Sequence, residues 1–179
     1  MTAFDAISLA GLLVAAVWTD LAHRRIPNRL ILLGLGLGWI AAPLVLLASG
    51  EAWSWDPYTG SLAGLAVLMP LYAVRGCAAG DVKLMALVGA FVGPALVVTA
   101  TVYAVLAGGV LSLLCMLRPG VAVQTLHNLR FMLTDWLMRL TTRSGLQLTP
   151  PAETAARLPY ALAIATGTLL TLWQHNLHA

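Results

Sequence analysis

Six apolar runs, each near the length that crosses a lipid bilayer, constrain this chain more than any other feature. A membrane-crossing helix needs about 20 mostly apolar residues. The candidate runs are Ala3–Thr19, Leu30–Ser49, Gly60–Val74, Lys83–Val97, Val98–Leu117 and Leu158–Trp173. The fourth and fifth form one continuous stretch, too long for a single crossing. Gly93-Pro94 is the place to break it, because proline lacks a helix donor and disfavours helix in the residue before it. Only 9% of the 179 residues are charged, against about a quarter in a soluble domain. The expected fold is all-α: a polytopic integral membrane protein of about six transmembrane helices, forming one membrane-embedded domain over residues 1–179. The first run has no basic start, carries Asp5 and ends at Asp20, so it is expected to be a retained span rather than a cleaved signal.

The basic residues orient the bundle. Arg24, Arg25 and Arg29 follow the first run, Arg75 and Lys83 flank the loop before the fourth, and Arg118, Arg130, Arg139, Arg143 and Arg157 precede the last. With six crossings all ten lie on one side, while the loop Gly50–Thr59 carries Glu51 and Asp56 and no Lys or Arg. That asymmetry is the positive-inside pattern. It predicts an amino terminus on the outer side and the basic loops in the cytoplasm. Trp53, Trp55 and Tyr58 in the opposite loop read as interface anchors. The net charge of +3 is small and scattered, and gives no reason to expect a nucleic-acid partner.

The long polar insertion, residues 119–156, has its own pattern. Leu126, Leu129, Leu133, Trp136, Leu137 and Leu140 recur at three- and four-residue steps, with His127, Thr134, Asp135, Arg139 and Thr142 on the other side. That spacing predicts an amphipathic helix at the cytoplasmic interface.

Against this background two carboxylates stand out. Asp20 closes the first apolar run and Asp81 opens the fourth, so both are expected at the cytoplasmic face, at the same depth. A carboxylate beside hydrocarbon is costly, which marks it as a functional candidate. Two that meet in space suit acid–base hydrolysis, because close carboxylates cannot both ionise cheaply and one stays protonated. Helix dipoles divide the labour: Asp81, near a helix amino terminus, is expected to be the ionised partner, and Asp20, near a helix carboxyl end, the protonated one. Arg24, four residues beyond Asp20, pulls the other way. Each residue also has a plainer reading, Asp81 as a helix N-cap after Gly80 and Asp20 as an arginine-paired group at a span end. A proton or cation relay or transporter is a further alternative, though relays place ionisable groups near mid-membrane. A non-catalytic assembly factor that keeps the fold to bind other membrane helices is another.

Cofactor chemistry finds no footing. Cys77 and Cys115 form no C-x-x-C pair, and His23, His127, His175 and His178 form no ligand set, so neither a metal nor a cofactor is expected. Both cysteines read as small apolar packing residues. No phosphate-binding loop, Gly-x-Ser-x-Gly or His-Glu-x-x-His is present.

At these residues the chain resembles the type IV prepilin peptidases. Asp20, then Arg24 or Arg25, then Ile26-Pro27-Asn28 is similar to their first-aspartate motif. Gly80-Asp81-Val82-Lys83 is similar to the end of their Gly-x-Gly-Asp motif, and Arg157-Leu158-Pro159-Tyr160 to their late Leu-Pro-Tyr segment. The resemblance implies an intramembrane aspartic endopeptidase whose catalytic pair is Asp20 and Asp81. Pro27, Asn28, Gly80, Lys83, Pro159 and Tyr160 are implied as supporting motif residues. The implied substrate is a membrane-inserted prepilin, cut after its short basic leader at the cytoplasmic face. Arg24, Arg25, Asp135 and Glu153 are candidate leader contacts. Ala78 stands where the family has its first motif glycine. The chain also starts at the first span, without the cysteine-bearing domain of larger members, and so resembles the short members that serve Flp/Tad-type pili.

Overall fold

A computed structural model describes residues 3–48, 50, 54–73, 76–117, 123, 127, 130, 134 and 160–178. It is helical, with no strand among the described residues. The elements are α1 (Ala3–His23), α2 (Asn28–Gly36), a π-helical segment (Leu37–Ala41), α3 (Ala42–Ala48), α4 (Asp56–Ala73), α5 (Ala79–Met116) and α6 (Tyr160–His178). Two helices are long and apolar enough to cross a membrane, Phe4–His23 and Ala79–Met116. Large apolar side chains such as Ile7, Val14, Trp18 and Leu113 lie exposed on the helices. That surface suits hydrocarbon rather than water.

The chain forms two units, one of residues 1–108 and 159–179 and the other of residues 109–158. In the second unit α5 continues from 109 to Met116, and Val123, His127, Arg130 and Thr134 are helical. The Thr134 hydroxyl donates to the Arg130 carbonyl at 3.0 Å. Leu126, Leu129, Leu133, Trp136, Leu137 and Leu140, the apolar stripe expected of the insertion, lie outside the described residues. So do Asp135, Arg139, Thr142, Glu153 and Pro159.

In the first unit, α5 breaks where the sequence predicts. Gly93 is non-helical, with φ 80° and ψ 175°, and Pro94 follows it. The break reverses the chain. A straight helix would hold Asp81 and Gly108 about 40 Å apart at 1.5 Å per residue. Yet Gly108 packs on the Tyr160 ring, and that same tyrosine interacts electrostatically with Asp81.

Small residues set how closely the helices approach. Gly60 of α4 lies backbone to backbone with Gly89 of α5, and Gly64 lies against the Met85 carbonyl. Gly167 of α6 packs on Ala100 and Ala104, and Gly34 of α2 on Leu87. Between them sits a core of Leu9, Leu13, Leu68, Leu84, Met85, Leu87, Val88 and Ile164. Buried hydroxyls turn back on their own helices: Ser61 donates to Pro57, Thr101 to Val97, Thr168 to Ile164 and Thr171 to Gly167. That satisfies polar groups where no water competes.

Of the expected anchors, Tyr58 packs on Trp55 and Trp39, with ring centroids 5.6 and 6.0 Å apart. Its hydroxyl donates to the Trp39 carbonyl at 2.8 Å, inside the π-helical segment. Trp53 is outside the described residues. The π-helical segment itself, interrupting the second apolar run, has no counterpart in the sequence reading.

Candidate active site

The site is built from three helix ends. Asp20 sits in the last turn of α1. The helix closes when the Arg24 amide donates to the Asp20 carbonyl at 2.8 Å. Arg24 then takes φ 53°, the left-handed conformation that ends many helices and usually falls to glycine. The chain turns through Ile26 to Pro27, whose extended backbone and carbonyl start α2. Asn28 is therefore the first residue of α2, next to the turn that leaves Asp20.

Asp81 is the third residue of α5 and is buried. Its Oδ2 accepts the Ala78 amide at 2.8 Å, while the Asp81 amide donates to the Ala78 carbonyl at 3.0 Å. This is the acidic half of a capping box, so Ala78 is the N-cap and Asp81 the residue that reaches back to it. The plainer reading of Asp81 as the N-cap misses by three positions, since Ala78 takes that place. Ala78 is also not among the residues of positive φ. Alanine therefore fits this loop, and the missing motif glycine leaves the Asp81 turn intact. At Gly80 a Cβ would sit 3.7 Å from Ile26, ordinary contact distance, so the glycine marks the approach of the two motif turns without being forced by space.

The third end is the start of α6. The Asp20 Oδ2 accepts the amide of Ala161 at 3.1 Å. The sequence places Asp20 only at a helix carboxyl end, where the dipole opposes its charge. The fold adds the amino terminus of a second helix, whose dipole favours it. Both carboxylates thus accept amides at helix amino-terminal ends, so the dipole of α1 is not the only one that bears on Asp20.

The two acids feel each other, since the Asp20 charge acts on Asp81. Tyr160 interacts with both Asp81 and Cys77. Cys77 is half-buried against the core. Burial and then the Asp81 charge push its thiol up to about 11. It is a protonated packing group at neutral pH, as expected from the sequence. Lys83, exposed one turn into α5, donates from Nζ to Asn28 Oδ1 at 3.2 Å, joining the two motifs directly. Asp20, Pro27, Asn28, Gly80, Asp81, Lys83 and Tyr160 are thus brought to one end of the first unit.

Sequence reasoning missed the Ala161 amide, because a backbone donor carries no residue signature. It also missed the Lys83–Asn28 bond, 55 positions apart. No group of three or more His, Cys, Asp or Glu able to hold a metal occurs among the described residues.

Two helices long and apolar enough to cross a membrane, with large apolar side chains exposed along them, mark a helical membrane protein. The family model of the type IV leader peptidase family matches residues 7–113, and the chain belongs to that family, a family of proteases. The match contains Asp20 and Asp81 and stops short of Tyr160. Comparison with curated proteins and with solved structures finds no significant match.

Proposed function

We propose that the chain is an aspartic endopeptidase that removes the short basic leader from type IV prepilins of the Flp/Tad kind, using Asp20 and Asp81 to activate water. The observation that carries this reading is that the Asp20 and Asp81 turns, both inside the family match, approach each other at Ile26 and Gly80, with the Asp20 charge acting on Asp81. In the reaction the ionised aspartate takes a proton from water as its oxygen attacks the scissile carbonyl. The protonated partner gives its proton to the carbonyl oxygen. On collapse of the tetrahedral gem-diol the first carboxyl gives its proton to the leaving amine nitrogen, the partner carboxylate takes a proton back from a gem-diol hydroxyl, and the C–N bond breaks, which restores both acids to their starting states.

Topology follows from the same reading. The chain crosses the inner membrane six times, with α5 contributing two crossings divided at Gly93. The amino terminus is periplasmic and the acid pair faces the cytoplasm. Arg24, Arg25, Arg29 and Lys83 cluster at the end that holds the acids, while Asp56 lies beside the Gly93 turn at the other. The pilin helix lies in the bilayer, its basic leader stays in the cytoplasm, and the scissile bond reaches the depth of the acids. A relay is disfavoured because both carboxylates sit at helix ends.

The test is co-expression with a Flp-type prepilin, following leader removal by gel shift. Asp20→Asn and Asp81→Asn are each expected to lower cleavage by at least about 10²-fold, the scale of a lost general acid or base. The double variant should be no slower than the worse single, since acid and base act as a unit. Full cleavage by either single variant would refute the mechanism. Proton flux lost with the same substitutions, with no cleavage by the parent, would favour a relay.

A further inference from the structure

Beside the site runs a groove of about 710 Å³, lined by one face of each of three helices. Ile31, Leu32 and Leu35 come from α2, Leu62 and Leu65 from α4, and Ala86 from α5. Its two ends differ in chemistry. At one end the Trp39 indole N–H donates to Ser61 Oγ and the Tyr58 hydroxyl to the Trp39 carbonyl, both at 2.8 Å, so these donors are already spent. At the other end stand Lys83 and Asn28. Lys83 gives one N–H to Asn28 Oδ1, which leaves two ammonium N–H groups and turns the Asn28 amide NH₂ outward. This mouth carries a positive charge and offers only donors.

An apolar trough with a cationic, donor-only mouth fits an amphiphile with one anionic head. Size narrows the choice. From Asn28 to Trp39 the groove follows α2 and the start of the π-helical segment for about 16 Å, at about 1.5 Å per residue. At about 30 Å³ per methylene, the share a water takes in liquid, an acyl chain of roughly 16 carbons fills about 480 Å³. A crossing helix of about 20 residues is a rod about 10 Å wide and about 30 Å long, roughly 2400 Å³. The groove holds the first and not the second. Leu32 and Leu62, both 68% exposed, open it sideways to the bilayer. A basic leader would also be repelled by Lys83.

We propose that this groove binds one acyl chain of an anionic phospholipid, with the phosphate held by Lys83 Nζ and the Asn28 amide. The site is independent of the protease reading, because its readout is lipid retention and not cleavage. The experiment is native mass spectrometry of the purified full chain, titrated with phosphatidylglycerol or with phosphatidylcholine of the same acyl length. One phosphatidylglycerol is expected to be retained with on the order of fivefold preference, the contribution of one lysine near an anionic lipid. Lys83→Met should abolish the preference. Leu32→Trp and Leu62→Trp, each filling the trough from an exposed position that the fold does not depend on, should reduce retention of both lipids. Inorganic phosphate should not compete. Equal retention of the two lipids, no effect of either tryptophan, or competition by phosphate alone would overturn the proposal. Displacement of the lipid by an apolar peptide bearing a carboxylate would assign the groove to substrate and overturn it equally.

Discussion

The Asp20 carboxylate accepts the Ala161 amide across 141 positions of sequence, at 3.1 Å, and this bond ties the last helix to the first. Ala161 is the second residue of α6, so its N–H belongs to the donors a helix leaves free at its start. Proline here removes a donor that has no partner within the helix, and pushes only Tyr160, the first residue of α6, away from helical geometry. Ala161→Pro is therefore expected to leave helical content intact by circular dichroism. It should slow leader cleavage by about 10- to 100-fold, matching the roughly 1.5–3 kcal/mol of a hydrogen bond to a charged group. Ala161→Ser keeps the amide and should cleave at the parent rate. A proline variant as active as the parent would show that α6 does not position Asp20.

Cys77 reports on Asp81 from outside the spanning segments. Its thiol is raised to about 11, first by burial and then by the Asp81 charge. Alkylating reagents attack the thiolate, so labelling of Cys77 should stay slow at pH 8 and rise steeply only near pH 11. Asp81→Asn removes a negative charge beside a group that becomes negative on ionising, which lowers the thiol's pKa. The labelling curve should move to lower pH, read by mass spectrometry in a Cys115→Ala background. An unmoved curve would mean that Asp81 carries no charge close to Cys77.

How much of this was legible differs by residue. The break at Gly93-Pro94 was readable because proline chemistry is local, and the fold places it there. Asp20 and Asp81 were readable because a charge beside hydrocarbon stands out at any position, and the fold brings both to one end of the bundle. The Ala161 amide and the Lys83–Asn28 bond were not readable, since each depends on which helix ends meet. The π-helical segment at Leu37–Ala41 was hidden for a similar reason. Its partners Tyr58 and Ser61 lie in α4, far along the chain. The dipole argument counted only the helix that carries Asp20, because the second helix end is set by the fold.

The close approach of α4 and α5 makes a packing prediction. A Cβ at Gly89 would run into the Gly60 carbonyl oxygen and lie 3.0 Å from the Ser61 nitrogen. These are backbone atoms, which cannot swing away as a side chain end can. Gly89→Ala should therefore force the helices apart at about 1–3 kcal/mol, the usual cost of overpacking. The loss should be visible as earlier unfolding in a denaturing-detergent titration. Gly11→Ala is the control. Nothing lies within 4 Å of a Cβ there, and alanine in an open helix position should stabilise α1 by about 0.5–1 kcal/mol.

Gly93 makes the opposite kind of prediction, because its constraint is in the backbone alone. A Cβ there would meet only Asp56, at an ordinary 3.8 Å. Its φ of 80° and ψ of 175° fall where only glycine is at ease, and other residues pay about 1–3 kcal/mol. Gly93→Ala should destabilise the fold by that amount, on the same detergent titration, although no neighbour is touched. The strain is local to the reversal of α5, at the end of the bundle away from Asp20 and Asp81. Residual cleavage by the folded fraction should consequently stay within about twofold of the parent, within the roughly 0.5 kcal/mol to which distant sites act independently. A variant that kept parental stability would mean the turn at Gly93 is not left-handed. One that lost cleavage while fully folded would mean the reversal reaches the acid pair.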